Sequence, residues 1–192
     1  MKKLNLQLFA EKVEGKIDRK YMAHMIDSGS LCHGDAEGWE ILGDDLEEYS
    51  VDLNPDTESV QNILGQTTFK HNGYEASSEA DPYYARTDSV LSTKLQEIID
   101  HRYKDDSCKT SALEVHMWEG DETAGYTAWK QECYVIPTSY GGDTSGYQIP
   151  FTVNYVGERV KGKYVRRKQD INKNRCHHTA KMHHQDVYKR QI

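Results

Sequence analysis

The segment that most restricts the fold of this chain joins a glycine-rich loop to an alternating strand. Residues 137–157 have the sequence PTSYGGDTSGYQIPFTVNYVG. From residue 147 onward, every second position is apolar or aromatic: Tyr147, Ile149, Phe151, Val153 and Tyr155. Because successive side chains of a β-strand point to opposite faces, this alternation predicts a half-buried strand over residues 147–155.

A proline interrupts the polar side of that strand. Pro150 lacks the backbone N–H that a central strand donates to its neighbour, so proline is confined to edge strands, strand starts and bulges. We therefore predict an edge strand or a bulge, with Tyr147, Pro150 and Phe151 as the edge-strand candidates. An edge strand can pair with another chain.

One segment has the spacing of a helix, over residues 88–103. Its apolar side chains recur at helical intervals, at Leu91, Leu95, Ile98 and Ile99. Thr87 or Asp88 is suitably placed to cap the first turn. We predict that the four apolar residues pack this helix against a sheet.

Further strands are predicted on both sides of the helix. They cover residues 16–27, 39–42, 48–53, 58–64, 67–74, 110–118 and 128–136. Asn54-Pro55-Asp56 has the composition of a turn, so residues 48–53 and 58–64 are predicted to form a hairpin. Residues 28–45 are predicted to be a long loop around one short strand, and residues 75–86 an irregular connection. The pattern indicates a mainly β (α+β) fold, an antiparallel β-sandwich or barrel with one packed α-helix.

Length and charge suggest one domain with two appendages. The 192 residues are enough for a single core. Residues 1–156 contain 13 Lys+Arg and 28 Asp+Glu, whereas residues 157–192 contain 11 and 3. We divide the chain into an N-terminal arm (1–14), a β-domain (15–165) and a basic tail (166–192). The acidic body argues against a dedicated DNA-binding surface, which needs clustered Lys and Arg.

Cysteine usage and the N-terminus indicate a cytoplasmic site of synthesis. The four cysteines show no CxxC pairing, which favours free thiols in a reducing compartment over a disulfide framework. The opening MKKLNLQLFAEKVEG has two lysines, but polar residues interrupt its short apolar run, unlike a secretion signal. No apolar stretch is long enough to predict a membrane span.

No group of residues predicts catalysis or a cofactor. Residues 139–146, SYGGDTSG, lack the Gly-Lys-Ser/Thr of a phosphate loop and precede a strand, so a hairpin loop is the better interpretation. His116 lies near Glu114 and Glu119, but no second histidine stands at ligand spacing. The strongest metal-like cluster is in the basic tail, at Cys176, His177, His178, His183 and His184.

Three segments together resemble the major tail proteins (tail tube proteins) of long-tailed phages of Gram-positive bacteria. They are KIDRKYMAH (16–24), TTFKHNGYEASSEADPYYAR (67–86) and the segment 137–157. The resemblance covers residues 4–165. LNLQLFAE near the start is also similar to an opening that recurs in structural proteins of such phages.

The resemblance implies a virion structural protein rather than an enzyme. Copies of such proteins form hexameric rings that stack into the tail tube, the conduit for genome delivery, and they assemble in the host cytoplasm. The implied partners are further copies and other phage tail proteins, while DNA passes through the lumen without specific binding; neither a cofactor nor a membrane is implied. Loops would reach neighbouring subunits, with candidates at Trp39, Asp44, Asp45, Tyr140, Asp143 and Thr144.

Other interpretations remain open. A monomeric β-sandwich binding module for carbohydrate or a host surface would show exposed aromatic residues clustered on one face. Trp129 looks like a core residue, and the three tryptophans lie in separate segments. A metal-dependent enzyme around His116 is a further alternative. A tail terminator or connector could share the architecture of a tube protein.

The basic tail departs from the family pattern, in which the last strand is followed by a short ending. Its DVYKRQ sequence is similar to a peptide that recurs at the ends of reading frames translated from assembled environmental sequence. We interpret much of residues 166–192 as non-native. A basic tail that touches nucleic acid is the second interpretation, and metal binding is the third.

Overall fold

The computed structural model describes residues 15–43, 46 and 48–165. The elements in this part of the chain are β1 (Met22–Asp27), β2 (Trp39–Leu42), β3 (Val51–Asp52), β4 (Pro55–Gln61), β5 (Thr67–Tyr74), β6 (Ser77–Ala80), α1 (Val90–His101), β7 (Lys109–Asp121), β8 (Gly125–Pro137), β9 (Gly141–Asp143), β10 (Gly146–Gln148) and β11 (Phe151–Tyr164). Short 3-10 turns occur at Arg19–Tyr21, Ser28–His33 and Asp105–Cys108. The predicted N-terminal arm, the basic tail and the cysteine–histidine cluster of that tail lie outside the described residues.

Seven strands form one antiparallel sheet in the order β2-β1-β7-β8-β11-β6-β3. Two separate hairpins, β4-β5 and β9-β10, are two-stranded sheets of their own. The long strands β7, β8 and β11 lie side by side, and register shifts in both of their pairings curl the sheet. The predicted mainly β (α+β) class with one helix is therefore confirmed.

Apolar clusters bury both faces of the seven-stranded sheet. The cluster that includes α1 contains the sheet residues Ile26, Ala112, Cys133, Val135, Phe151 and Val153. The second cluster contains Met25, Trp39, Leu113, Val115, Met117, Tyr126 and Ala128. Sequence neighbours such as Met25 and Ile26 belong to different clusters because alternate residues of a strand point to opposite faces.

The helix α1 packs on the sheet through the residues that its spacing predicts. The buried set includes Leu91, Leu95, Ile98 and Ile99. The helix is shorter than predicted, and its N-cap is Ser89, whose Oγ accepts a hydrogen bond from the Ser92 N–H at 3.1 Å. The predicted caps, Thr87 and Asp88, precede this position. The helix ends at Arg102, which adopts the left-handed conformation common after a last helical turn.

Glu40 of β2 attaches the start of α1 to the sheet. Its Oε1 accepts hydrogen bonds from the Leu91 N–H at 2.7 Å and from the Ser28 hydroxyl at 2.6 Å. Its Oε2 accepts one from the Ser89 hydroxyl at 2.7 Å. A carboxylate is favourable at a helix N-terminus because the helix dipole is positive there.

Replacing Glu40 by glutamine (E40Q) is expected to lower the free energy of unfolding by about 1–2 kcal/mol. The change removes the charge from three hydrogen bonds and from the helix terminus while keeping the size of the side chain. Urea denaturation followed by circular dichroism measures the effect. The matched control is E37Q, an exposed carboxylate before β2, for which we expect a change within about 0.5 kcal/mol. Equal loss in both variants would contradict the role of Glu40.

Of the two alternatives predicted at Pro150, an edge strand or a bulge, the edge strand is wrong. The chain leaves the strand conformation around Pro150, so β10 and β11 are separate strands. Phe151 has partners on both sides, Pro137 of β8 and Ala80 of β6, and lies in the sheet interior. Pro150 precedes β11 and therefore interrupts no ladder. Tyr147 pairs within the small β9-β10 hairpin.

The turn predicted at residues 54–56 is also wrong. Pro55 begins β4, and β3 pairs with β6 rather than with β4. The chain turns at residues 62–66, after which β5 pairs with β4. Asn62 favours this turn because its Oδ1 accepts hydrogen bonds from the Leu64 and Gln66 N–H groups. The irregular connection predicted over residues 75–86 contains β6.

Candidate assembly surfaces

A hairpin formed by β4 and β5, residues 55–74, continues from the β3-β6 edge of the sheet; we call it the projecting hairpin. At its base, the Asn54 side-chain amide donates hydrogen bonds to the Glu75 carbonyl at 3.1 Å and to the Ser77 hydroxyl at 3.0 Å. Every residue of β4 and β5 is exposed except the half-buried Gly73. Both faces of the projecting hairpin are therefore open to solvent.

The projecting hairpin exposes several large apolar side chains. Ile63 at the tip is fully exposed, Leu64 beside it is 77% exposed and Phe69 on β5 is 68% exposed. Val60 and Tyr74 are exposed as well. Exposed large apolar side chains can mark interaction surfaces, and an isolated two-stranded hairpin is at best marginally stable in water. Both considerations make the projecting hairpin a candidate contact surface.

The two faces of the projecting hairpin differ in chemistry. One face carries the aromatic residues Phe69, His71 and Tyr74, and the His71 and Tyr74 rings meet with centroids 4.5 Å apart. The other face carries Asp56, Glu58 and Val60 on β4, with Lys70 of β5 opposite Glu58. An aromatic face and a partly acidic face therefore lie back to back.

β11 changes from an interior strand to an edge strand along its length. β6 pairs with β11 only as far as Asn154, whereas β8 accompanies it to Tyr164. From residue 157 to residue 163, no described strand pairs with the side of β11 opposite β8. An edge thus exists in this strand, further along than Pro150 suggested.

This edge segment of β11 presents a row of cations. Arg159, Lys161 and Lys163 are exposed and alternate along the strand. The Arg159 guanidinium and the Lys161 ammonium lie 5.2 Å and 5.5 Å from the ring centroid of Trp129. Trp129 itself is half-buried and belongs to neither apolar cluster, which corrects its interpretation as a core residue.

A polar cluster lies beside Trp129, centred on Glu114. The Glu114 Oε1 is 2.7 Å from His116 Nε2 and accepts a hydrogen bond from Arg159 at 2.8 Å. Burial opposes ionisation of Glu114, but these hydrogen bonds outweigh it and hold the pKa of its carboxyl below the usual value. The adjoining cavity measures ≈ 50 Å³, far below the ~300 Å³ of the smallest usual ligand pockets. The cluster therefore has the character of a structural network.

His24 is buried in this cluster, with its ring centroid 4.9 Å from that of Tyr49. Burial lowers the pKa of His24 to about 4, chiefly because a charged imidazole would be desolvated. Positive charge on Arg19 and Arg159 lowers this pKa further, against the opposing effect of Glu114. His24 is therefore neutral in the folded protein at neutral pH.

Acidification from pH 6.5 to pH 4 is expected to destabilise the fold by about 3 kcal/mol through His24. Over this window the unfolded chain, in which histidine titrates near 6.5, binds a proton that the folded protein does not, so stability falls as pH falls. Denaturant unfolding at pH 7, 5.5 and 4.5 measures the slope. H24Q should flatten it, whereas H101Q, at an exposed histidine of α1, should not. An unchanged slope in H24Q would contradict the assignment.

The structure separates the predicted loop residues. Trp39 is only 4% exposed and belongs to β2 and to the second apolar cluster, so its placement on an inter-subunit loop is corrected. The strand that positions it was predicted, but the burial of its face was not. Asp44 and Asp45 lie outside the described residues.

The remaining loop candidates, Tyr140, Asp143 and Thr144, lie in and beside the β9-β10 hairpin. The Tyr147 hydroxyl donates a hydrogen bond to Gln96 of α1 at 2.7 Å, and the Asp143 carboxylate accepts one within the turn. The predicted hairpin loop over residues 139–146 therefore contains a small hairpin of its own, which contacts the helix. Tyr140 and Thr144 are exposed on it.

Sequence reasoning did not identify the projecting hairpin or the edge of β11 as surfaces. A signal for the first is present: Ile63-Leu64-Gly65 places two large apolar residues next to a glycine in a polar segment. The signal for the edge of β11 is the alternation of the cations Arg159, Lys161 and Lys163. Whether these residues face solvent depends on which strands pair, and the sequence does not show the pairing.

The described part of the chain contains neither a membrane-spanning helix nor a metal-binding group of side chains. No helix there is long and apolar enough to cross a membrane. No group of three or more His, Cys, Asp or Glu side chains is arranged there to hold a metal ion.

Comparison with known proteins returned matches among solved structures. No protein-family model matches the sequence, and no curated protein matches it. The chain is similar to the tube-terminating cap of the anti-feeding prophage (11% identity, TM-score 0.44), over 79% of this chain and 93% of that one. It is also similar to the sheath/tube terminator of the extracellular contractile injection system PVC in its extended state (12% identity, TM-score 0.44), over 78% of this chain and 98% of that one. A chain of the PVC sheath-tube complex in its extended state is similar to this chain at 14% identity and a TM-score of 0.43, over 79% of this chain and 95% of that one.

Proposed function

We propose that this chain is a structural subunit of a phage-type tail tube, whose copies associate into rings that stack into a conduit. The projecting hairpin carries the proposal, because it exposes Ile63, Leu64 and Phe69 where no other described residue covers them. A second molecule that packs on such side chains would remove them from water. The resemblance of residues 4–165 to major tail proteins suggests that this molecule is another copy.

A contact between the hairpin of one copy and a different surface of the next is heterologous, and repetition of such a contact closes a ring or extends a filament. Burying three large apolar side chains contributes about 5 kcal/mol, while association costs at least about 4 kcal/mol in lost freedom. One hairpin contact is therefore weak by itself. A ring gives every copy two such contacts, and the resemblance implies six copies.

The proposed role is structural rather than catalytic, and the duplex would pass through the lumen without specific binding. The acidic body supports this, since residues 1–156 carry 28 acidic and 13 basic side chains. Acidic groups that face a bore repel phosphates over distances of about 10 Å at physiological salt. Assembled tubes should therefore not retard short duplex DNA in an electrophoretic assay, and retention of that DNA would contradict this part of the proposal.

The decisive experiment is to purify the full chain and examine it by light scattering and negative-stain electron microscopy over a range of concentrations. Tubes of uniform width built from stacked rings are the expected result, and class averages of end views count the copies. Rings that do not stack would favour a terminator or connector instead. A protein that stays monomeric at all concentrations would overturn self-assembly and favour a binding module.

A further inference from the structure

The edge segment of β11 is a place where another strand can be added. From residue 160 to residue 164, β11 pairs with β8 on one side and with no described strand on the other, after a register shift at residues 157–159. Such an edge presents backbone N–H and C=O groups that pair readily with an extended segment of another chain. Lys161 and Lys163 are exposed here, on one face of the strand.

The projecting hairpin of the same chain does not occupy this edge. β6 pairs with β11, and β5 directly precedes β6, yet β5 pairs only with β4. β5 carries the cation Lys70 and no carboxylate, so a β5 strand laid along the edge segment of β11 would place Lys70 beside the cations of that edge. Like charges in directly opposed positions destabilise a strand pair. The charge pattern therefore disfavours closure of the projecting hairpin onto its own β11.

The other strand of the projecting hairpin has the complementary charge. β4 contains Asp56 and Glu58 and no cation, and both carboxylates lie on one face. They are two residues apart, as are Lys161 and Lys163 on β11. Because side chains of one strand face repeat every two residues, both pairs of opposite charge can form at once, whether the strands run parallel or antiparallel.

We propose that β4 of one copy pairs with the edge segment of β11 of a second copy, so that Asp56 and Glu58 meet Lys161 and Lys163. This inference rests on the proposed function and names the surface that receives the projecting hairpin. Backbone pairing gives the contact its affinity, and the charges select β4 rather than β5. The aromatic face of the projecting hairpin then lies away from these charges and is available for apolar contact.

Charge reversal on each side tests this pairing in the full chain. D56K/E58K and K161E/K163E should each leave the seven-stranded sheet folded but raise the concentration needed for assembly about tenfold or more, because two attractive pairs become repulsive. E58K also faces Lys70 across its own hairpin, an effect that mixing with another variant does not relieve. An equimolar mixture of the two variants should assemble again. In that mixture each variant hairpin meets an edge of opposite charge on the other variant.

A matched control and the parent protein separate the possible failures. D35K/E37K makes the same charge change at two exposed carboxylates before β2; it should assemble like the parent, and its mixture with K161E/K163E should assemble no better than D35K/E37K alone at the same concentration. If the parent assembles and the mixture of reversed variants does not, the pairing is overturned and the proposed function stands. If the parent itself never assembles, the proposed function fails and this inference with it.

Neutral variants cover the case in which a reversed variant does not fold, as judged by circular dichroism. D56N/E58Q and K161Q/K163Q keep the side-chain sizes and remove only the attraction. Each should raise the assembly concentration a few-fold, and this increase should shrink at high salt because exposed ion pairs are screened. Assembly at the parental concentration in both neutral variants would overturn the pairing.

Discussion

Removal of the projecting hairpin is expected to abolish assembly and to leave the rest of the protein folded. The variant replaces residues 55–74 by Asn-Gly, which can join β3 to β6 through a two-residue hairpin turn. Little core is lost, because the residues removed from β4 and β5 are exposed apart from the half-buried Gly73. Light scattering and electron microscopy measure assembly, and thermal unfolding by circular dichroism measures the fold.

A pair of point variants makes this prediction specific. I63S/L64S removes apolar surface only at the tip and should weaken assembly strongly, whereas V90S removes an exposed apolar side chain from α1 and should have no effect. Rings or tubes formed by the deletion variant would remove the main support for the proposed function. Unfolding of the deletion variant would instead show that the projecting hairpin stabilises the body of the same chain.

Truncation of Phe151 to alanine (F151A) is expected to lower the free energy of unfolding by about 3–5 kcal/mol. The ring is fully buried in the cluster beneath α1 and meets the ring of Tyr83 edge-on, with centroids 5.1 Å apart. Removing a large buried side chain loses its transfer free energy and leaves a cavity. Because a domain is usually stable by only about 5–15 kcal/mol, much of the protein should be unfolded or degraded during expression.

The matched control is F69A, the same truncation on the projecting hairpin. Phe69 is 68% exposed, so F69A should change stability by less than about 0.5 kcal/mol while weakening assembly. Urea denaturation and light scattering together distinguish the two effects. Comparable loss of stability in F69A and F151A would contradict the difference in burial on which the assignment of core and surface rests.

The sequence predicted α1 and the long strands well, because their patterns are local. The helical spacing of Leu91 and Leu95 identifies the buried side of α1. The alternation of Leu113 and Val115 predicts a strand over residues 110–118, which is the larger part of β7. Alternation extends over β8 in the same way, although the strand is longer than predicted. Such patterns persist in the fold because α1 buries one side, while the strands place alternate residues on the two faces of the sheet.

The predictions that failed concern which strands pair. Asn54-Pro55-Asp56 has turn composition, but Pro55 begins β4 and the chain turns at residues 62–66 instead. Pro150 correctly indicated a special position, yet it lies before an interior strand rather than in an edge strand. Local composition limits the backbone conformation at a residue, whereas the choice of partner strand depends on residues far along the chain.

The class of the fold, the position of the helix and the alternation of the main strands follow from the sequence alone. The burial of Trp39, the projection of residues 55–74 from the sheet and the edge of β11 beyond Asn154 follow only from the folded arrangement of the strands. The physical reason is that periodicity shows which side of an element is apolar but not what covers it. Which apolar sides are buried depends on the order of the strands, and distant residues set that order. The surfaces proposed for assembly can therefore be identified only in the folded sheet.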